Sequence, residues 1–229
     1  MSREAQAIVL FLLGGGLCWA AFTDLSLRYV RPELRPLLVI AGVVLIAAAV
    51  ATAWYEWRKK GHTHAEHRVS RLMLLPLFAL LLVAPPALGS YTAVRTGTAL
   101  QPPPVLTPLS AEDPLPLALN DYAARAVYDD RHELAGRQVV VTGFISADAD
   151  GEPYLTRMVL NCCAADAQPI KIGLAGQVPA ILQPDTWFEV TGTFVDRQSR
   201  DPVNDGPIPY IDITRAVPVP APSEPYETW

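Results

Sequence analysis

The 229-residue chain is half apolar and carries a net charge of −5, and its length allows one or two domains. The charge is uneven: residues 1–89 hold 9 Lys+Arg against 5 Asp+Glu, a net of +4, while residues 90–229 hold 9 against 18, a net of −9. So acidic a segment repels phosphate backbones, which excludes nucleic acid as a partner and keeps the segment off anionic lipid.

Three runs near the N-terminus are apolar and free of charge: AQAIVLFLLGGGLCWAAFT, PLLVIAGVVLIAAAVATAWY and LMLLPLFALLLVAPPALGSYTA. Each matches the ~20 residues a spanning helix needs, so they predict spans at about 5–23, 36–55 and 72–89 within a membrane region 1–93. The first run lacks a basic leader beyond Arg3 and a small-residue cleavage site. It reads as an uncleaved helix. The third carries Pro76, Pro85 and Pro86, which membrane helices tolerate where neighbours satisfy the freed carbonyls. Arg3, Arg58, Lys59, Lys60, Arg68 and Arg71 fall on one side, against Arg28, Arg31, Arg35 and Arg95 on the other. That bias puts the N-terminus in the cytoplasm. With three spans, the chain after residue 93 lies outside the cytoplasm.

Residues 94–118 form a linker in which LQPPPVLTPLSAEDPLPLA holds six prolines. It suits an extended spacer, not a helix or central strand. A helix at 120–130 follows, with Tyr122, Ala123, Ala126 and Val127 at spacings of three and four. Strands are predicted at 137–147, 153–163, 169–175, 186–195 and 208–217. Asp150-Gly151 turns the first hairpin. A short helical link at 177–183 and a loop at 196–207 separate the later strands. Five strands with such a link match an OB-type barrel spanning 119–218. Gly143 and Gly192, each inside an alternating strand, would let it bend. Residues 219–229 read as a proline-rich tail. The fold class is thus a helical membrane part followed by an all-β domain with a short leading helix.

Two clusters carry possible chemistry. Cys162 and Cys163 are adjacent, in RMVLNCCAADAQP, and Asp166 follows three residues on. As small apolar side chains the pair would fill the core. As thiolates they would bind a thiophilic metal such as zinc, with the AAD turn curling Asp166 back as an oxygen ligand. As a redox pair they lack the C-x-x-C spacing, and a vicinal disulfide is strained because adjacent Cα atoms are about 3.8 Å apart. A metal site needs a third or fourth ligand, and His132 is the one histidine in this part of the chain. Cys18 lies in the membrane region, at the wrong depth to join. The loop GHTHAEH sets His62, His64 and His67 close together, either as metal ligands or as solvated loop residues. The predicted topology puts them across the membrane from the cysteines. No catalytic motif is present, so no enzyme is expected: neither G-x-S-x-G, nor H-E-x-x-H, nor a phosphate loop.

Tyr29, Val30 and Pro32, the His loop, PPALGS, GRQVVVTGFI, YLTRMVLNCCAADAQP, TWFEVTGTF and PSEPYETW together resemble the YcgQ-like family of uncharacterised bacterial membrane proteins. Arg157–Pro169 is the specific part of that likeness. The resemblance implies an accessory subunit beside an integral membrane permease of the YraQ/YcgR type, with no substrate assigned. The alternative is a free-standing extracytoplasmic thiol-, metal- or redox-handling protein whose membrane part is an anchor.

Overall fold

A computed structural model of the chain describes residues 3–58, 83 and 85–228. The loop with His62, His64 and His67, and most of the third apolar run, lie outside the described residues. The chain divides into residues 1–87 and 88–229.

In the first unit, α1 (Arg3–Phe22) and α2 (Arg35–Arg58) are joined through 3-10 turns at Asp24–Arg28 and Pro32–Leu34. At 1.5 Å per residue they run about 30 and 36 Å. Both are long and apolar enough to cross a membrane. Phe11, Trp19, Leu37, Ile40, Val43 and Val44 point outward and exposed. A core helix of a water-soluble protein buries such side chains; a helix solvated by lipid does not. A helix also satisfies its own backbone, as hydrocarbon demands. The two helices touch where glycine permits it. A Cβ on Gly42 would stand 2.8 Å from the Gly14 carbonyl oxygen and 2.5 Å from Cys18 Sγ. Cys18 is therefore packed at the helix crossing. Trp54, Tyr55 and Trp57 gather at the end of α2, with the Arg58 guanidinium 4.9 Å over Trp54, a mixture suited to a membrane interface.

The second unit contains α3 (Ser90–Arg95), β1 (Leu115–Pro116), α4 (Leu119–Tyr128), β2 (Gln138–Ala147), β3 (Pro153–Leu160), β4 (Gln168–Gly176), β5 (Trp187–Arg200), β6 (Pro207–Val219) and β7 (Tyr226–Thr228). They form one seven-stranded sheet in the order β1-β2-β5-β6-β4-β3-β7, and β2 also pairs with β3. The five long strands therefore pair in a ring. Their pairings are antiparallel except for β4 with β6.

Local chemistry explains the bends. Asp148 accepts the N–H groups of Asp150 and Glu152 at 3.0 and 2.8 Å, and Gly151 takes φ 85°, closing the β2–β3 hairpin. A Cβ on Gly143 would stand 2.8 Å from the Thr156 carbonyl oxygen, and one on Gly192 2.5 Å from that of Asp212. The β5–β6 register shifts at Thr191/Gly192, so glycine sits where strands kink together. The core gathers Val139, Val141, Ile145, Leu155, Val159, Ile170, Ile172, Val190, Ile211 and Ile213, with Leu119, Tyr122 and Ala123 of α4 packed among them. Tyr122 also donates its hydroxyl hydrogen to the Tyr210 carbonyl at 2.7 Å.

The structure departs from the sequence expectation in the strand count, in the 196–207 loop and in the 177–183 link, besides the end of β3. The sheet has seven strands rather than five, because the proline-rich flanks contribute β1 and β7. Most of 196–207 is strand or tight turn, because a bulge at Val195/Gln198 lets the β5–β6 ladder continue to Arg200 opposite Pro207. The stretch 177–183 is not helical. Pro179 falls inside it and Pro184 directly follows it, so too few residues remain between them for a helix nucleus, and Ile181 stays exposed while Leu182 packs partly against the core.

Asp201, buried in the 201–206 turn, accepts the Lys171 ammonium at 2.7 Å and the N–H groups of Thr98 and Val203 at 2.9 Å. The tail is fastened likewise. Glu227 on β7 accepts the N–H groups of Leu119 and Asn120, at 2.9 and 2.8 Å, capping α4. Arg157 Nε lies 3.7 Å from the same carboxylate. Arg157 also donates to the Glu224 carbonyl at 2.8 Å and covers the Trp187 ring at 4.8 Å. Burial lifts the Glu227 carboxyl above its ordinary range, while the two N–H groups and Arg157 pull it down.

Glu227→Ala should therefore strand a buried guanidinium and two helix N–H groups, at a cost of about 3 kcal/mol. A fragment of residues 88–229 should melt cooperatively by circular dichroism. The Glu227→Ala version should melt about 10 °C or more lower, and a 119–218 fragment lower still. Equal melting temperatures would refute this role for the tail.

Candidate functional site

Strand β3 ends at Leu160, paired with Thr228 of β7. The chain then leaves the sheet through Asn161, Cys162 and Cys163, turns once at Ala164–Asp166 and enters β4. The cysteines thus follow the strand rather than extend it, and the alternation of strand faces does not apply to them. The turn brings Asp166 back onto the pair. Its Oδ1 accepts the Asn161 N–H at 3.0 Å, and its Oδ2 accepts those of Cys162 and Cys163 at 2.8 and 3.4 Å. Its own N–H bonds the Cys163 carbonyl at 3.0 Å. A carboxylate three residues beyond the N-terminal end of a tight turn satisfies backbone donors that would otherwise lack partners.

Cys162 is exposed and Cys163 half-buried, and both are free thiols. Neither belongs to the apolar core, so filling that core is not their role. Their sulfurs stand 3.5 Å apart. The two sulfurs and an Asp166 oxygen all lie within 4.8 Å of one another. Two thiolates sharing a tetrahedral ion at about 2.3 Å span about 3.8 Å, so the pair is spaced for shared coordination with little backbone movement. Among the described residues, no fourth His, Cys, Asp or Glu side chain joins this group. His132 is in the turn after α4, with φ 52°, and is not part of it.

The electrostatics follow from the carboxylate. The Cys162 thiol donates to Cys163 Sγ at 3.5 Å, and the Asp166 carboxylate beside it pushes the Cys162 pKa up to about 12, with Cys163 adding to the effect. The Asp166 carboxyl is held below its ordinary range by the Cys162 thiol and the three backbone N–H groups. The raised pKa keeps the Cys162 thiol protonated near neutral pH. That suits a proton-for-cation exchange, in which ions displace thiol protons. It disfavours thiol–disulfide exchange, whose attacking species is the thiolate.

Sequence reasoning did not find the supports of this loop: Arg157, Trp187 and Glu227 beside β3, and the Lys171–Asp201 pair beside β4. A signal existed for two of them. Arg157 and Lys171 are cations inside otherwise apolar strands, and a buried cation requires a buried anion.

Comparison with curated proteins and with solved structures returned no match. The DUF1980 C-terminal domain matches residues 101–227, from the proline-rich stretch through β7 and including Cys162, Cys163 and Asp166. That match covers more than half of the chain, and the chain belongs to the family defined by the DUF1980 C-terminal domain.

Proposed function

We propose that this is a membrane-anchored, metal-handling accessory protein. In this reading a β-barrel domain of OB type, outside the cytoplasm, binds a thiophilic ion such as zinc through Cys162, Cys163 and Asp166. The convergence of three donor atoms within 4.8 Å on one exposed loop carries the reading. The ring of pairings among β2, β5, β6, β4 and β3, with β4 and β6 parallel, supports the OB assignment. The outward-facing apolar helices support the anchor. The cytoplasmic N-terminus rests on the basic bias around the apolar runs, together with three spans. Docking on a membrane permease follows from the YcgQ-like resemblance. A free-standing protein with the same ion site is the second reading, and co-purification separates them: a stable permease complex favours the first, its absence the second.

Zinc titration tests the site itself. Purified full-length protein in detergent should bind one zinc per chain. The Cys162→Ser, Cys163→Ser double variant should lose that binding while keeping its melting temperature within about 3 °C, since neither side chain is in the core. Unchanged binding in the variant would remove the site. Because zinc must expel the Cys162 proton, apparent affinity should rise at least tenfold per pH unit between about pH 6 and 8. A pH-independent affinity would contradict thiolate ligation.

Asp166→Asn removes the charge that holds the thiol proton. Alkylation of Cys162 at about pH 8 should then accelerate by roughly tenfold or more. An unchanged rate would show that the carboxylate does not control the thiol.

For topology, Ala149→Cys in the exposed β2–β3 turn, placed in the double-serine background, should react with an impermeant maleimide in intact cells. Labelling only after lysis would invert the orientation.

A further inference from the structure

Given the ion site proposed above, on which this step rests, we infer that it is an exchange site: it takes a divalent thiophilic ion and passes it on by direct ligand substitution, and does not lock the ion in place. Three observations carry this. All the donors come from one five-residue stretch, Cys162 to Asp166, and no fourth side chain of ligand type joins them among the described residues. Structural zinc sites close four ligands around the ion, whereas sites with three leave a position open. The donor that an incoming ligand would displace, Cys162, is also the exposed one. Finally, Asp166 is a weak third donor. Its two oxygens already accept three backbone N–H bonds at 2.8 to 3.4 Å, which occupies most of the roughly four lone-pair positions of a carboxylate.

The transfer step balances simply. A thiolate or imidazole of the receiving molecule forms a bond to the ion at the open position, and the bond from the ion to Cys162 Sγ then breaks. Transfer ends as the bonds to Cys163 Sγ and the Asp166 oxygen follow. Each sulfur that the ion leaves takes one proton from solvent, and the Cys162 thiol again donates to Cys163 Sγ. The ion keeps its charge and no electron moves. Asp166 holds the backbone of residues 161–163 through three N–H bonds.

The mechanism of release distinguishes an exchange site from a closed one. Full-length protein in detergent is loaded with one equivalent of zinc and mixed with excess colorimetric chelator in a stopped-flow instrument. Attack at an open position predicts a release rate proportional to chelator concentration, rising about tenfold over a tenfold range. A rate independent of chelator concentration would mean that the site must open by itself first, and would overturn the exchange proposal while leaving the ion site standing. Failure of the wild-type protein to take up zinc, or equal uptake by the double-serine variant, would overturn the ion site and the exchange proposal together.

Discussion

Strand β3 is hydrogen-bonded to three other strands, and the position of the two thiols depends on this. It pairs with β2 over Pro153–Thr156, with β4 over Tyr154–Val159, and with β7 over Met158–Leu160. The pairing to β2 closes the ring of long strands. The pairing to β7 holds the last residues of β3 up to the point where Asn161 departs. A loop that starts from a strand end held on both edges begins in a fixed place and direction, which is what a set of short side chains needs to converge. Asp166 then continues the same control by taking the N–H groups of the next three residues.

Buried charges reinforce that frame on both sides of the loop. Arg157 and Glu227 tie β3 to the tail and to the start of α4. Lys171 and Asp201 tie β4 to the β5–β6 turn and, through the Thr98 N–H, to the linker. Replacing such pairs with apolar groups often costs little, whereas removing one partner costs much. Their structural effect is specificity of register: each cation meets its anion only in one alignment of strands that are distant in sequence. The linker and tail therefore do not merely flank the sheet. They supply the N–H group and the carboxylate that complete these two networks.

Much of this is legible in the sequence where the physics is local. The strand cores follow from alternation, the first hairpin from Asp-Gly chemistry, and the bends from Gly143 and Gly192 inside apolar strands. What is not legible depends on distant partners. Nothing near Tyr226–Thr228 announces a strand, since three residues after a proline-rich stretch pair only because β3 offers a free edge. The β5–β6 ladder continues past Val195 only because a bulge absorbs the extra residues, and a polar stretch such as DRQSRD carries no apolar period to reveal it. The helix predicted at 177–183 fails because Pro179 and Pro184 leave four residues between them, too few for a helix nucleus.

The same distinction explains the paired cysteines. Read as part of a strand, they would point one inward and one outward, and could not act together. The strand stops three residues sooner, at Leu160, because from Asn161 onward the backbone N–H groups turn to Asp166 instead of to a neighbouring strand. A carboxylate that captures three successive N–H groups forces the chain out of the ladder, and only then do the two sulfurs come within 3.5 Å on one side. Asp166 thus has two linked effects. It makes the geometry that could hold an ion, and its negative charge beside Cys162 disfavours the reactive thiolate. An ion bound there would compete with the proton for the same sulfur, and the strength of that competition would be set by a residue whose first task is to end a strand.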